Sequence, residues 1–180
     1  QLVQKYRTTT FSCVIDDKDV ANNLSRVFSE ARETINVFFD LNTGMKRSGI
    51  RPADAMALFQ HIKTLPGINL NGLHGYDGQI SDKNVSERQQ KSDDSFSELS
   101  QLLEKIEKTS GKKLTVVAGG SPTFPTHVNR HVECSPGTFV FWDFGYKKQL
   151  PDEPFDYAAL VITRIISIVD DQTVTTDLGH

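Results

Sequence analysis

The sequence predicts an α/β chain, part of a (β/α) barrel that runs into the start of a β-rich domain. Three observations carry this. Short apolar runs recur, and each is followed by apolar residues at helical spacing. Every unusual cluster of glycine and polar residues falls just after one of those runs. After Phe124 the helical spacing stops and strand-like runs follow one another.

The elements are read in order. Phe11 to Ile15 reads as a strand, and Val20, Leu24, Val27, Phe28 and Ala31 then repeat at helical spacing. Ile35 to Phe39 is a second strand, ending at Asp40. Pro52 opens the next helix, which carries Ala55, Leu58, Phe59, Ile62 and Leu65 on one face and stops at Pro66-Gly67. Ile68 to Leu73 is a third strand, followed by a long polar helix over Asn84 to Thr109 with Phe96, Leu99, Leu103 and Ile106 inward. Leu114 to Ala118 is the fourth strand. Apolar runs of this kind, each with a helix behind it, predict a parallel sheet buried on both faces. Beyond it, His131 to Cys134, Gly137 to Trp142 and Ala158 to Val169 read as strands without helices between them. The expected division is a barrel portion over 1–150 and the start of a β domain over 151–180.

Composition narrows the chemistry. The 180 residues are 37% hydrophobic and 24% charged, enough for a core in a water-exposed chain. The net charge of -3, with Lys and Arg scattered, gives no basis for nucleic-acid binding. No apolar run reaches membrane length, and two distant cysteines form no disulfide framework, so a cytoplasmic protein is expected. Gln1 opens without Met, and the last residues run straight off a β-rich stretch, so the chain reads as a central fragment.

Three loops carry candidate chemistry, and in a (β/α) barrel all three would share the C-terminal face where active sites are built. The segment Leu114 to Phe124, LTVVAGGSPTF, ends a strand at Gly119-Gly120. Its amides, with Ser121 and Thr123, can surround a phosphate, although glycines there also serve a plain tight turn. Asp40 to Gly49 brackets a basic pair between glycines; Arg47 would sit over an anionic or phenolic oxygen, or be a solvated loop cation. His74, Tyr76, Asp77 and Gln79 bring imidazole, phenol, carboxylate and amide together, suited to a planar ring or to ordinary loop polarity. Cys134 reads as a small buried filler rather than a nucleophile. No nucleophile elbow is present, and Pro122 and Pro125 disfavour the helix that would pair His127 with His131 on a metal.

In their order and spacing, DLNTGMKRSGI, GLHGYDGQI, VVAGGSPTF and VECSPGTFVFWDFGY resemble the D-threonine aldolase and D-serine dehydratase group, from about Phe11 to the end. That group has the alanine-racemase-like fold of pyridoxal-phosphate enzymes. The resemblance implies that Gly119, Gly120, Ser121 and Thr123 bind the cofactor phosphate. It implies that Arg47 approaches the cofactor's phenolic oxygen or the substrate, and that Tyr76, with His74 or Gln79, lies beside the pyridine ring. Arg47 and Tyr76 are the expected catalytic residues. A divalent metal, zinc or manganese, would hold the substrate's β-hydroxyl in the intact protein. The Schiff-base lysine would lie upstream of Gln1. The metal ligands would lie downstream of His180, which does not itself match them. The implied function is a lyase acting on D-3-hydroxy amino acids, expected as a homodimer. A racemase or cofactor carrier of the same fold, or a non-catalytic binding fragment, are the alternatives.

Overall fold

The structure, a computed structural model, describes residues 1–178. A short helix α1 (Leu2–Lys5) precedes strand β1 (Ser12–Ile15), helix α2 (Lys18–Glu30), β2 (Ile35–Asp40), α3 (Pro52–Ile62), β3 (Ile68–Gly75), α4 (Val85–Ser110) and β4 (Thr115–Ala118). One-turn 3-10 helices follow at Phe124–His127 and Thr138–Val140, then α5 (Phe144–Gln149) and the hairpin β5 (Ile165–Asp170) and β6 (Thr173–Thr176). Strands β1 to β4 are parallel neighbours in chain order. That unbroken order is what a (β/α) barrel requires of consecutive units.

Local chemistry sets the helix starts. The Asp17 carboxylate accepts from the Val20 amide and the Asn84 side chain from the Glu87 amide, so α2 and α4 begin on capped donors. Pro52 occupies the first turn of α3, where its missing N–H costs nothing. The helices bury one face of the sheet. Ile35, Val37 and Phe39 of β2 are at most 5% exposed and pack in one cluster with Leu73, Val116, Ala55, Leu58, Leu99 and Ile106. Each of these side chains larger than alanine contributes roughly 1.5–3 kcal/mol of burial.

The expectation of a sheet buried on both faces is corrected. Because side chains alternate along a strand, Asn36, Phe38 and Asp40 point away from the helices. The opposite face of β1 leaves Val14 54% exposed. It carries polar residues in register: Asn69 donates to Asn36 at 3.1 Å, and Asp40 lies beside His74. In a closed barrel this face would be the interior.

The region after β4 departs most from expectation. His131 to Cys134 is not a strand; only Glu133 pairs with β4, through bonds with Ala118 and Val116. Gly137 to Trp142 forms a 3-10 turn instead of a strand, and the six-residue helix α5 follows unanticipated. The aromatic residues that suggest strands here pack, at steep angles, around Phe155. The Trp142–Phe155 ring centroids are 5.0 Å apart and those of Phe139–Phe155 5.6 Å. Of Ala158 to Val169, only the stretch from Ile165 is strand, in the exposed β5–β6 hairpin. Cys134 is exposed, not a buried filler. On α4 Leu99 and Leu102 are both buried, with Leu103 half-buried. Among the described residues, no helix is long and apolar enough to cross a membrane.

Arg88 of α4 ties the later segment to the sheet layers. Its guanidinium is 2% exposed and reaches Asp152, Glu153 and the Asp82 carbonyl. Burial first, and the Asp152 charge second, push the Glu153 carboxyl above its ordinary pKa, with Arg88 pulling the other way. In the intact protein Arg88→Met is expected to cost about 3–5 kcal/mol at neutral pH, because it strands a buried carboxylate. A raised folded pKa means the unfolded chain loses the Glu153 proton first. The penalty is therefore absent below the ordinary glutamate range and grows as pH rises through it. Urea unfolding across that range checks this, and a loss equally large in acid would contradict it.

Candidate functional site

All three polar loops leave the same end of the sheet, at the C-terminal ends of β2, β3 and β4. The β2 loop is shaped by its own backbone. A bridge between Leu41 and Ile50 closes its base, and the Asn42 side chain accepts from the amides of Gly44 and Lys46. The Gln79 amide donates to the Thr43 carbonyl at 3.1 Å, as does the Ser95 hydroxyl from α4. Gln79 therefore braces two loops against each other.

His74 and Asp40 occupy facing register positions on the polar side of the sheet, with Nδ1 of His74 2.7 Å from the Asp40 carboxylate. A carboxylate on Nδ1 favours the tautomer protonated there and leaves Nε2 as the basic nitrogen. The next outward residue on that side is Tyr76. The Arg47 guanidinium lies 4.8 Å from its ring centroid. The same ring abuts the turn after β4. A Cβ on Gly120 would lie 2.9 Å from Tyr76 Cε2, and one on Gly119, whose φ is +89°, would lie 3.0 Å from His127 Cδ2. The turn is thus squeezed between Tyr76 and His127, and this is why it needs two glycines.

The buried side of the turn is organised by Asp77. One carboxylate oxygen accepts from the Gly120 amide at 3.0 Å and from the Thr123 hydroxyl at 2.6 Å. The other faces His127 Nε2 at 3.1 Å. Arg130 contacts His127 Nδ1 at 2.9 Å, pairs with Asp93 and lies 4.5 Å from the Phe96 ring. Burial by itself raises the Asp77 pKa. The hydrogen bonds from His127, Thr123 and Gly120 outweigh it and hold the carboxyl below its ordinary value. Although Cys134 as a residue is exposed, its sulfur faces the Gly119 turn, and partial desolvation there, with the Asp77 charge behind it, pushes the thiol up, which disfavours a thiolate nucleophile.

The residues singled out in the sequence thus divide. Arg47, Tyr76, Gly120 and the His74–Asp40 pair lie at one end of the sheet, with Ser121 4% exposed in the turn. Thr123 is fully buried and engaged with Asp77, as is the Gly120 amide. His180 lies outside the described residues. Sequence reasoning missed the Asp77–His127–Arg130 chain. The only signals were an aspartate inside a polar loop and a histidine weighed as a metal ligand. Their 50-residue separation shows no pattern that spacing can detect.

What this arrangement offers is a cation stacked on a phenol, an imidazole oriented by a carboxylate, and a bare-backbone turn with a serine. That set suits an aromatic ligand with an anionic tail.

A lowered folded pKa at Asp77 gives stability that is present above the ordinary aspartate range and is lost as pH falls through the folded value. Asp77→Asn is expected to destabilise the intact protein by about 2–4 kcal/mol at neutral pH. The gap to wild type should close in strong acid, and a pH-independent gap in urea unfolding would contradict this. Gly120→Ala is expected to cost about 1–3 kcal/mol through the Tyr76 contact. Thermal unfolding checks it, and an unchanged midpoint would show that the ring yields freely.

Comparison with known proteins agrees with the fold. The model of the alanine racemase N-terminal domain matches residues 1–143. A D-threonine aldolase from Arthrobacter sp is 24% identical over 184 residues, covering 99% of this chain and 48% of that protein. The crystal structure of D-threonine aldolase from Filomicrobium marinum superposes with a TM-score of 0.88 at 24% identity, over 99% of this chain and 50% of that one. D-threo-3-hydroxyaspartate dehydratase from Delftia sp. HT23 gives 0.68 at 20%, over 79% and 39%. Alanine racemase from Clostridium difficile 630 gives 0.66 at 11%, over 84% and 39%. The chain spans about half the length of the curated relative it matches. The chain belongs to the family of the alanine racemase N-terminal domain.

Proposed function

We propose that this chain supplies the phosphate-gripping part of a pyridoxal-phosphate site in a lyase acting on D-3-hydroxy amino acids, of the D-threonine aldolase or dehydratase type. The observation that carries the reading is the Arg47–Tyr76–Gly120 stack, set at the same end of the sheet as the His74–Asp40 pair. The named relatives, two D-threonine aldolases and a D-threo-3-hydroxyaspartate dehydratase, support the substrate class.

Each residue has a role in this reading. The 119–121 turn and the Ser121 hydroxyl hold the phosphate. Arg47 brings positive charge to the cofactor's phenolic oxygen or to the substrate carboxylate. Tyr76 lies beside the pyridine ring and shields the turn from water. His74, oriented through Asp40, can take or return a proton at Nε2. When bound, pyridoxal phosphate supplies an electron sink for charge developing at Cα. In this reading the binding lysine and the ligands of a divalent metal, zinc or manganese, which would polarise the substrate hydroxyl, would come from the rest of the protein, which we take to act as a homodimer. Aldol cleavage breaks Cα–Cβ, the hydroxyl proton leaves to a base, and Cα gains a proton, giving glycine and an aldehyde. Dehydration removes the α-proton and expels the hydroxyl as water, and the released enamine tautomerises to an imine that water hydrolyses to a 2-oxo acid and ammonia.

A racemase is the second reading, favoured by the family model and the alanine racemase fold. Intact protein loaded with pyridoxal phosphate is expected to release glycine and acetaldehyde, or ammonia and a 2-oxo acid, from D-threonine. Chelator should abolish that release. Arg47→Met should lower turnover by about 10²-fold or more, the scale of losing one preorganised charge contact. Conversion of one enantiomer into the other, indifferent to chelator, would replace this reading with the racemase.

A further inference from the structure

We propose that Asp77, oriented by His127 and Arg130, is the positioning residue that fixes the 119–123 turn in its phosphate-receiving shape. The inference rests on the proposed cofactor. It assigns Thr123 and the Gly120 amide to the support of the turn and leaves the Ser121 side to meet the ligand.

The argument is one of donor direction. A guanidinium can only donate, so Arg130 makes His127 Nδ1 an acceptor. A neutral imidazole then carries its proton on Nε2, which donates to Asp77. The other Asp77 oxygen accepts from the Gly120 amide and the Thr123 hydroxyl. Every group facing Asp77 is therefore a donor, and only a carboxylate accepts from all of them. The Thr123 hydroxyl is also 3.0 Å from the Gly120 amide, which places it in the same local knot.

The chain of orientation has a fixed origin. Arg130 is held by Asp93 and the Ser92 hydroxyl of α4 and lies over Phe96, whose ring meets His127 edge-on at 5.6 Å. The Thr126 hydroxyl, engaged with Ser92 and the Thr123 carbonyl, anchors the 3-10 turn behind it. The His127 side chain is 1% exposed and that of Asp77 5%, so water cannot replace either partner. The longest helix thereby dictates the shape of the turn.

An asparagine at position 77 has the same shape, but it sets an NH2 against a donor. Relief requires His127 to move its proton to Nδ1, where Arg130 already donates. The strain must then appear in the turn. In the intact protein, Asp77→Asn is expected to weaken pyridoxal phosphate binding about 10- to 100-fold, the usual effect of removing an outer partner that orients a ligand-contacting group. Binding of pyridoxal, which lacks the phosphate, should be unchanged. Arg130→Met, at a partly exposed side chain, should shift the same ratio in the same direction by less, and it serves if Asp77→Asn does not fold.

Equilibrium dialysis with both compounds reads the ratio, and nitrogen-detected imidazole spectra read the His127 tautomer. Selective loss of the phosphate preference supports the assignment. A folded variant that keeps the preference, or loses both ligands equally, overturns it and leaves the proposed function standing. Wild-type protein with no preference for the phosphorylated compound overturns the proposed function, and this assignment with it.

Discussion

The site depends on one buried carboxylate. Moving a carboxylate out of water costs several kcal/mol, and only well-directed donors offset it. Asp77 obtains three, from three places in the chain: the Gly120 amide, the Thr123 hydroxyl and the His127 ring. Satisfying that charge pins the loop after β3 to the turn after β4 and to the 3-10 helix behind it. Through Arg130 the same constraint reaches α4. The geometry of Tyr76 follows, since it stands beside Asp77 in sequence and projects to the opposite side. With Asp77 anchored inward, the Tyr76 ring lies against Gly120 and under Arg47.

The first two-thirds of the fold was legible because it obeys period rules. Apolar runs marked β1 to β4, and helical spacing marked α2 to α4, with ends close to those observed. Pro52 and Asn84 marked starts that local chemistry alone can read, while the Asp17 cap of α2 was not singled out in the sequence. The region after Phe124 was not legible, for a physical reason. Phe139 and Trp142 carry strand propensity, but propensity measures packing against neighbours rather than backbone preference. Their neighbours turned out to be Phe124, Phe155 and Tyr146, distant or local aromatics that replace a ladder. Trp142 even holds a φ of +50° within that cluster. No window of sequence contains that information.

The site was legible in its loops and illegible in its connections. That the polar clusters share one end of a sheet follows from their position after parallel strands. That Gln79 braces Thr43, that Asp40 orients His74, and that Asp77 grips the turn are tertiary facts. Each joins residues at least 34 apart, and each partner taken singly looks like ordinary loop polarity.

The glycines show how such a signal is shared. Two glycines after a strand read as room for a ligand, because a bare backbone lets another group come close. In the structure, the groups pressed against them belong to the protein: Tyr76 on Gly120 and His127 on Gly119. A ligand and a side chain make the same steric demand, so sequence cannot separate them. The two roles are not exclusive, however. In the proposed role, a turn that presents a hydroxyl to a phosphate also has to be rigid. Clamping its backbone between an aromatic ring and a buried histidine is a means of making it so. Bare backbone at Gly119 and Gly120 admits the clamp, and the clamp in turn fixes where Ser121 stands.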